Sequence, residues 1–256
     1  MPDKGFFLIT GPTSGIGQAL SEVLAQRGHN LILAARDELR LTEQAQSLKN
    51  RYPIEVETVS IDLSVPGGGK ALYEACAPFP VYGLVNNAGM GIFGPFSTLQ
   101  LAEEKKLLYL NLLNLHELCK CFLEGRKEGM LLNVASTAAF QSGPYMASYY
   151  ASKAFVLSLT EALAEELELS APQIIVSCLA PGPVATGFHS RANISAVQKN
   201  LPTAATVASY GVKMWFLGKV LIVPGWQNRV LLFLNRFVSR KVGRKLVLKN
   251  QLKKIK

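Results

Sequence analysis

Phe6-Phe7-Leu8-Ile9-Thr10-Gly11-Pro12-Thr13-Ser14-Gly15-Ile16-Gly17 is the stretch that decides the fold. A short apolar run leads into a glycine-rich turn, and Ala19, Leu20, Val23 and Leu24 then recur at helical spacing. Strand, turn and helix in that order form the context in which a glycine loop holds a dinucleotide. Gly11 permits the tight exit from the strand, Gly15 lets backbone approach a pyrophosphate, and Gly17 lets helix and strand pack closely. The spacing is Gly-x-x-x-Gly-x-Gly, not the commoner Gly-x-Gly-x-x-Gly, so the loop taken alone also reads as an ordinary strand-to-helix turn.

Working outward, strands are expected at 6–10, 30–35, 55–61, 81–86, 130–136, 173–179 and 219–223. Helices are expected at about 15–28, 37–50, 68–77, 98–124, 146–169 and 204–218. Such alternation predicts an α/β fold, a Rossmann-type doubly wound parallel sheet of about seven strands with helices on both faces. At 256 residues and 49% hydrophobic, the chain can bury the core of a single domain, and no Pro- or Ser-rich linker divides it. We read residues 1–225 as the catalytic domain and 226–256 as a basic extension of it. No run approaches the ~18 apolar residues of a membrane span. A charged leader followed by a long apolar stretch is also missing at the amino terminus, so a cytoplasmic or peripherally bound protein is expected.

Cys76, Cys119, Cys121 and Cys178 lack Cys-x-x-Cys spacing and read as reduced thiols. His29, His116 and His189 are isolated from one another, and no metal is expected.

Tyr149 and Lys153 lie four residues apart in Ala147-Ser148-Tyr149-Tyr150-Ala151-Ser152-Lys153. On a helix they share a face, so an ammonium can sit beside a phenol and favour its ionised form. A phenol near its ordinary pKa of about 10 moves protons poorly at neutral pH, and a neighbouring cation corrects this. Further marks stand in order along the chain: Asn86-Asn87-Ala88-Gly89 after the strand 81–85, Asn111, Ser136 thirteen residues before Tyr149, and Pro181-Gly182-Pro183-Val184-Ala185-Thr186. With these motifs in register, the chain resembles the classical short-chain dehydrogenase/reductase family over roughly residues 5–225.

That resemblance implies a hydride transfer between a nicotinamide cofactor and a carbonyl or secondary alcohol. By it, Tyr149 supplies the proton and Ser136 hydrogen-bonds the same oxygen. Lys153 lowers the tyrosine pKa and binds the nicotinamide ribose, and Asn111 links Lys153 to solvent through water. The resemblance assigns Gly11, Thr13, Ser14, Gly15, Ile16 and Gly17 to the cofactor's phosphates, and Asp62 with Leu63 to the adenine edge. Asn87, Ala88 and Gly89 line the cofactor, and Pro181, Gly182, Val184 and Thr186 grip its nicotinamide amide. The second strand reads Asn30-Leu31-Ile32-Leu33-Ala34-Ala35-Arg36-Asp37, with a base where an acid would hold a ribose 2′-hydroxyl. A guanidinium there pairs with a 2′-phosphate, so NADP is favoured over NAD. Asp37 argues the other way but also suits the N-cap of the helix that follows, and Ser14 stands where many NADP-type members carry a second base.

Charge divides the chain unevenly. Lys and Arg total 14 in residues 169–256 with no Asp or Glu, leaving 13 bases against 18 acids in the first 168 residues. Over the last thirty residues Val230, Leu234, Phe237, Val238, Val242, Leu246 and Leu252 alternate with Arg229, Arg236, Arg240, Arg244, Lys245 and Lys249. This basic amphipathic pattern suits an anionic membrane, an acyl-CoA or acyl-carrier substrate, a neighbouring subunit, or packing on its own domain. Nucleic acid is not expected, because no binding motif accompanies the charge. A homodimer or homotetramer is the expected assembly.

The substrate is expected to be an apolar ketone or alcohol, acyl or steroid-like. Its pocket would be walled by Met90, Ile92, Phe93, Phe140 and Tyr145, and opposite them by a loop from 187 to 205 carrying Phe188, His189, Arg191, Asn193 and Leu201. Val223-Pro224-Gly225-Trp226 and the basic tail resemble members related to ketoacyl reductases and hydroxysteroid dehydrogenases. The reading from a different class is a catalytically idle relative that binds nucleotide as a sensor or membrane-surface scaffold.

Overall fold

The computed structural model describes residues 5–188, 192 and 201–253; His189, Arg191 and Asn193 of the expected substrate loop lie outside them. Seven parallel strands form one sheet in the order β3-β2-β1-β4-β5-β6-β7. They are β1 Phe6–Thr10, β2 Leu31–Ala35, β3 Val56–Ser60, β4 Val81–Asn86, β5 Glu128–Val134, β6 Gln173–Leu179 and β7 Leu221–Ile222. The strand order reverses between β1 and β4, which opens a crevice at their carboxyl ends.

Nine α-helices accompany the sheet among the described residues: α1 Gly15–Gln26, α2 Glu38–Arg51, α3 Gly68–Ala75, α4 Leu101–Leu108, α5 Asn114–Leu123, α6 Ala147–Ser170, α7 Ala204–Phe216, α8 Trp226–Asn235 and α9 Arg240–Leu252. One face of the sheet packs Phe7, Ile9, Leu31 and Leu33 against Leu20 and Leu24 of α1, Leu41 of α2 and Val212 and Trp215 of α7. The other packs Leu8, Ile32, Leu84 and Leu131 against Leu72 of α3, Phe122 of α5 and Val156 of α6. Central strands buried on both faces are continuous apolar runs, as β1 and β2 are.

Three boundaries differ from expectation. The helix expected at 98–124 is interrupted by a π-helical turn, Tyr109–Leu113, between α4 and α5. The buried positions Leu107, Asn111, Asn114 and Leu118 keep helical spacing across it, so the pattern hides it. The fifth strand runs Glu128–Val134, which leaves Ser136 beyond it as the cap of a short 3-10 turn, Thr137–Phe140. The seventh strand has only two residues, and Pro224 and Gly225 stand one residue beyond it.

Candidate active site

The glycine loop builds an anion cradle from backbone. Gly11 and Gly15 take φ of +64° and +56°, a left-handed conformation open to glycine at no steric cost. A Cβ on Gly17 would collide with the Gly11 carbonyl and the Asn87 amide. Ser14 caps α1 without any side-chain hydrogen bond, and the first turn carries no acid, so the helix's initial N–H groups and positive dipole end are left for an anion.

Thr10, which the motif reading passed over, latches this loop to the next strand. Its hydroxyl accepts from the backbone N–H of both Asn87 and Ala88 at 3.0 Å, while Asn87 Nδ2 donates to the Thr10 and Gly11 carbonyls at 3.0 Å. Asn114 braces the adenine side by accepting from Gly69 N at 2.9 Å and donating to the Leu63 and Val65 carbonyls at 2.7 Å.

Arg36 stands exposed at the end of β2 and lines the crevice with Arg40 and Lys106. Asp37 turns its carboxylate to α2, accepting from Arg40 N at 3.1 Å and pairing with Arg40 Nε at 3.3 Å. It is the N-cap the sequence suggested. Asp62 accepts from Ser64 N and Oγ at 2.8 and 2.6 Å. Burial raises its pKa, but the two Ser64 bonds and the fields of Arg36 and Lys106 outweigh that, and the carboxyl is held below its ordinary value.

Ser136, Tyr149 and Lys153 converge where β5 meets α6. Ser136 faces the Tyr149 phenol closely enough to lower its pKa, and Lys153 Nζ donates to the Val134 carbonyl at 2.8 Å and lies 6.0 Å from the Tyr149 ring centroid. Lys153 is buried and burial brings its pKa down to about 8, although the field of Cys178 raises it. Burial pushes Tyr149 up to about 12, against the lowering effect of Ser136. Burial therefore dominates the phenol in the chain alone. The phenol is desolvated, and the ammonium is directed to a backbone carbonyl.

Asn111 sits fully buried in the π turn behind these groups. It accepts from Met90 N at 2.9 Å and donates to the Met90 carbonyl at 2.8 Å and to Ser152 Oγ at 3.1 Å. A Cβ on Gly89 would stand 3.3 Å from Asn111 Oδ1 and 3.4 Å from Lys153 Nζ, so both side chains close on that glycine. A side chain at position 89 would press on both, and they would have to give by a few tenths of an ångström.

A cavity of about 1120 Å³ runs from Gly15 past Arg36 and Asp62 to Ser136, Tyr149 and Thr186. Every residue the resemblance assigned to the site lines it except Gly17 and Asn111, which support it from behind. Of the five residues expected on the substrate wall, only Met90 does so. Phe93 stacks on Tyr145 and the Phe140 carbonyl accepts from Asn235 instead. Met146 and Tyr150 take their place, Phe188 of the expected loop lines the cavity too, and Leu231, Val247 and Gln251 of α8 and α9 join them. Phe188 lies 5.3 Å from the Tyr149 ring. The carboxyl-terminal helices thus pack on the domain, one of the alternatives that their amphipathic pattern leaves open.

Fold and crevice together define a Rossmann-type nicotinamide-dependent oxidoreductase. The model for short chain dehydrogenases matches residues 6–196, and the chain belongs to that family, whose members transfer hydride between a nicotinamide cofactor and a carbonyl or alcohol. It is 29% identical over 213 residues to the very-long-chain 3-oxoacyl-CoA reductase of Mus musculus, covering 80% of this chain and 67% of that one. To the 7beta-hydroxysteroid dehydrogenase of Mediterraneibacter gnavus it is 30% identical over 167 residues, 63% and 62% of the two chains. A short-chain dehydrogenase from Sphingobium yanoikuyae, solved with NADPH, superposes with a TM-score of 0.79 at 30% identity over 86% of this chain and 88% of that one. Structures similar to this chain include complexes with NADPH and with NAD.

Proposed function

We propose that the protein is an NADP(H)-dependent carbonyl reductase or alcohol dehydrogenase in which Tyr149 is the general acid and base. The carrying observation is the convergence of a buried phenol, the Ser136 hydroxyl and the Lys153 ammonium beside a backbone anion cradle. The residues fit the cofactor. Gly11, Gly15 and the start of α1 would hold the pyrophosphate, Arg36 with Arg40 a 2′-phosphate, Asp62 and Leu63 the adenine, and Pro181, Gly182, Val184 and Thr186 the nicotinamide end, all of them lining the one cavity. When bound, NADPH supplies the hydride, and NADP accepts it in the reverse direction.

The chain's own residues handle the oxygen. A carbonyl taking up hydride develops negative charge at oxygen, which Ser136 and Tyr149 hydrogen-bond as Tyr149 donates its proton. Lys153, fixed by Val134, offers its ammonium to the cofactor ribose and to the phenolate that forms. Asn111 acts through the backbone of Met90 and through Ser152, holding the β4 loop and α6 in register.

The apolar lining by Met90, Met146, Phe188, Leu231 and Val247 supports an apolar acyl, steroid-like or other bulky ketone. We further propose that the protein works as a homodimer or homotetramer in the cytosol or at the face of a membrane. A panel of ketones followed by NADPH oxidation tests the reading, and indifference to every ketone with either reduced cofactor would refute it.

A further inference from the structure

Helix α8 has two opposed faces. At about 100° per residue, Asn228, Leu232 and Asn235 turn towards the domain and are half-buried, with Asn235 Nδ2 donating to the Phe140 carbonyl at 3.3 Å. Trp226, Val230 and Phe233 lie on the far side, continued past the helix end by Phe237. Trp226 is 67% exposed, Phe233 58% and Phe237 76%, and the last two rings meet edge to face with centroids 5.4 Å apart. Isolated exposed apolar side chains are ordinary, but an aromatic stripe of this kind marks a contact surface.

The charges around it are of one sign. Arg229 and Arg236 flank the stripe, and α9 adds Lys241, Lys245 and Lys249 beside its exposed Val242 and Leu246. No acid occurs from residue 169 onward. An isologous contact would lay this patch on its own copy and set cation against cation. An anionic lipid surface meets both halves of the pattern, since headgroups attract the bases and the acyl boundary receives the rings.

We propose that α8 and α9 dock the protein on an anionic membrane through Trp226, Val230, Phe233 and Phe237, with the basic side chains on the headgroups. The same two helices wall the cavity, through the buried Val247 and Gln251 and, at its open rim, the exposed Leu231 and Asn250. On the carbonyl-reductase reading, this places the substrate entrance at the lipid boundary, and the substrate is an apolar ketone drawn from the bilayer.

The test uses the full chain and vesicles of phosphatidylcholine with or without phosphatidylglycerol. Co-sedimentation is expected only with the anionic vesicles and is lost on raising salt. The chain has two tryptophans, and Trp215 is fully buried, so a blue shift of emission on binding reports Trp226. Replacing Trp226, Phe233 and Phe237 together by Ser should weaken vesicle binding by more than about tenfold while leaving reduction of a small soluble ketone unchanged. Reduction of a long-chain ketone carried in anionic vesicles should fall in that variant. No sedimentation at low salt, undiminished binding by the triple variant, or a dimer that the triple variant dissolves would overturn the docking. Vesicle binding with no ketone turned over at all would instead leave the docking standing and remove the reductase reading.

Discussion

Gln251 Nε2 donates to the Tyr150 hydroxyl at 3.2 Å, tying the last helix to the residue next to the proposed proton donor across 101 positions of chain. Gln251 is buried, lines the cavity, and keeps an Oε1 with no hydrogen-bond partner among the described residues. A buried acceptor left open in a substrate cavity suits a donor group on the ligand. Gln251→Ala should cost about 1 kcal/mol of stability, read by urea unfolding. It should raise KM severalfold for ketones bearing a nearby hydroxyl or amide, with plain ketones little affected. An equal effect on both substrate kinds would reduce Gln251 to a packing residue.

Tyr149→Phe removes only a hydroxyl. Turnover should drop by at least the ~100-fold typical of a lost general acid, while NADPH binding, followed by fluorescence titration, stays near the wild-type level. Tyr150→Phe should retain most activity, because its hydroxyl is committed to Gln251. The opposite ranking would show that the register of α6 has been assigned one residue off.

How much of this was legible in the sequence depends on the range of the contacts. The glycine loop, the Tyr149–Lys153 pair and the N-cap at Asp37 are set within a few residues, and their identities show on the chain. The substrate wall is different. Leu231, Val247 and Gln251 reach it from helices whose amphipathic pattern states only that one face is apolar, not what the face covers. Phe93 stacks on Tyr145 and backs the cluster of Met146, Tyr150 and Phe188 without lining the cavity itself. The π turn that sets Asn111 is hidden as well, since the buried positions on either side of it, Leu107, Asn111, Asn114 and Leu118, keep helical spacing. The pKa values of Tyr149 and Lys153 depend on burial, which spacing does not encode.

Cofactor preference turns on Arg36. With Asp37 engaged by α2, Arg36 is left to meet a 2′-phosphate, and Arg36→Ala should weaken NADPH binding by roughly 1.5–3 kcal/mol with little change for NADH. Calorimetric titration of both cofactors decides it. An equal loss for both, or a native preference for NADH, would refute the assignment.

The two central ionisable groups should leave opposite marks on stability in the cofactor-free protein. Lys153 titrates at about 8 when folded against 10.5 for an ordinary lysine. Between those values the unfolded chain holds a proton that the folded chain has released, so this group's contribution rises with pH and is lost as pH falls through 8. Tyr149 titrates at about 12 against 10.0. There the folded chain keeps the proton, and its contribution falls as pH climbs from 10 to 12. Each arm should be on the order of 1–3 kcal/mol. Urea unfolding across this range should show the rise disappear in Lys153→Met and the fall disappear in Tyr149→Phe. A rise that survives Lys153→Met would mean that another group carries it, and that Lys153 is charged in the folded site throughout.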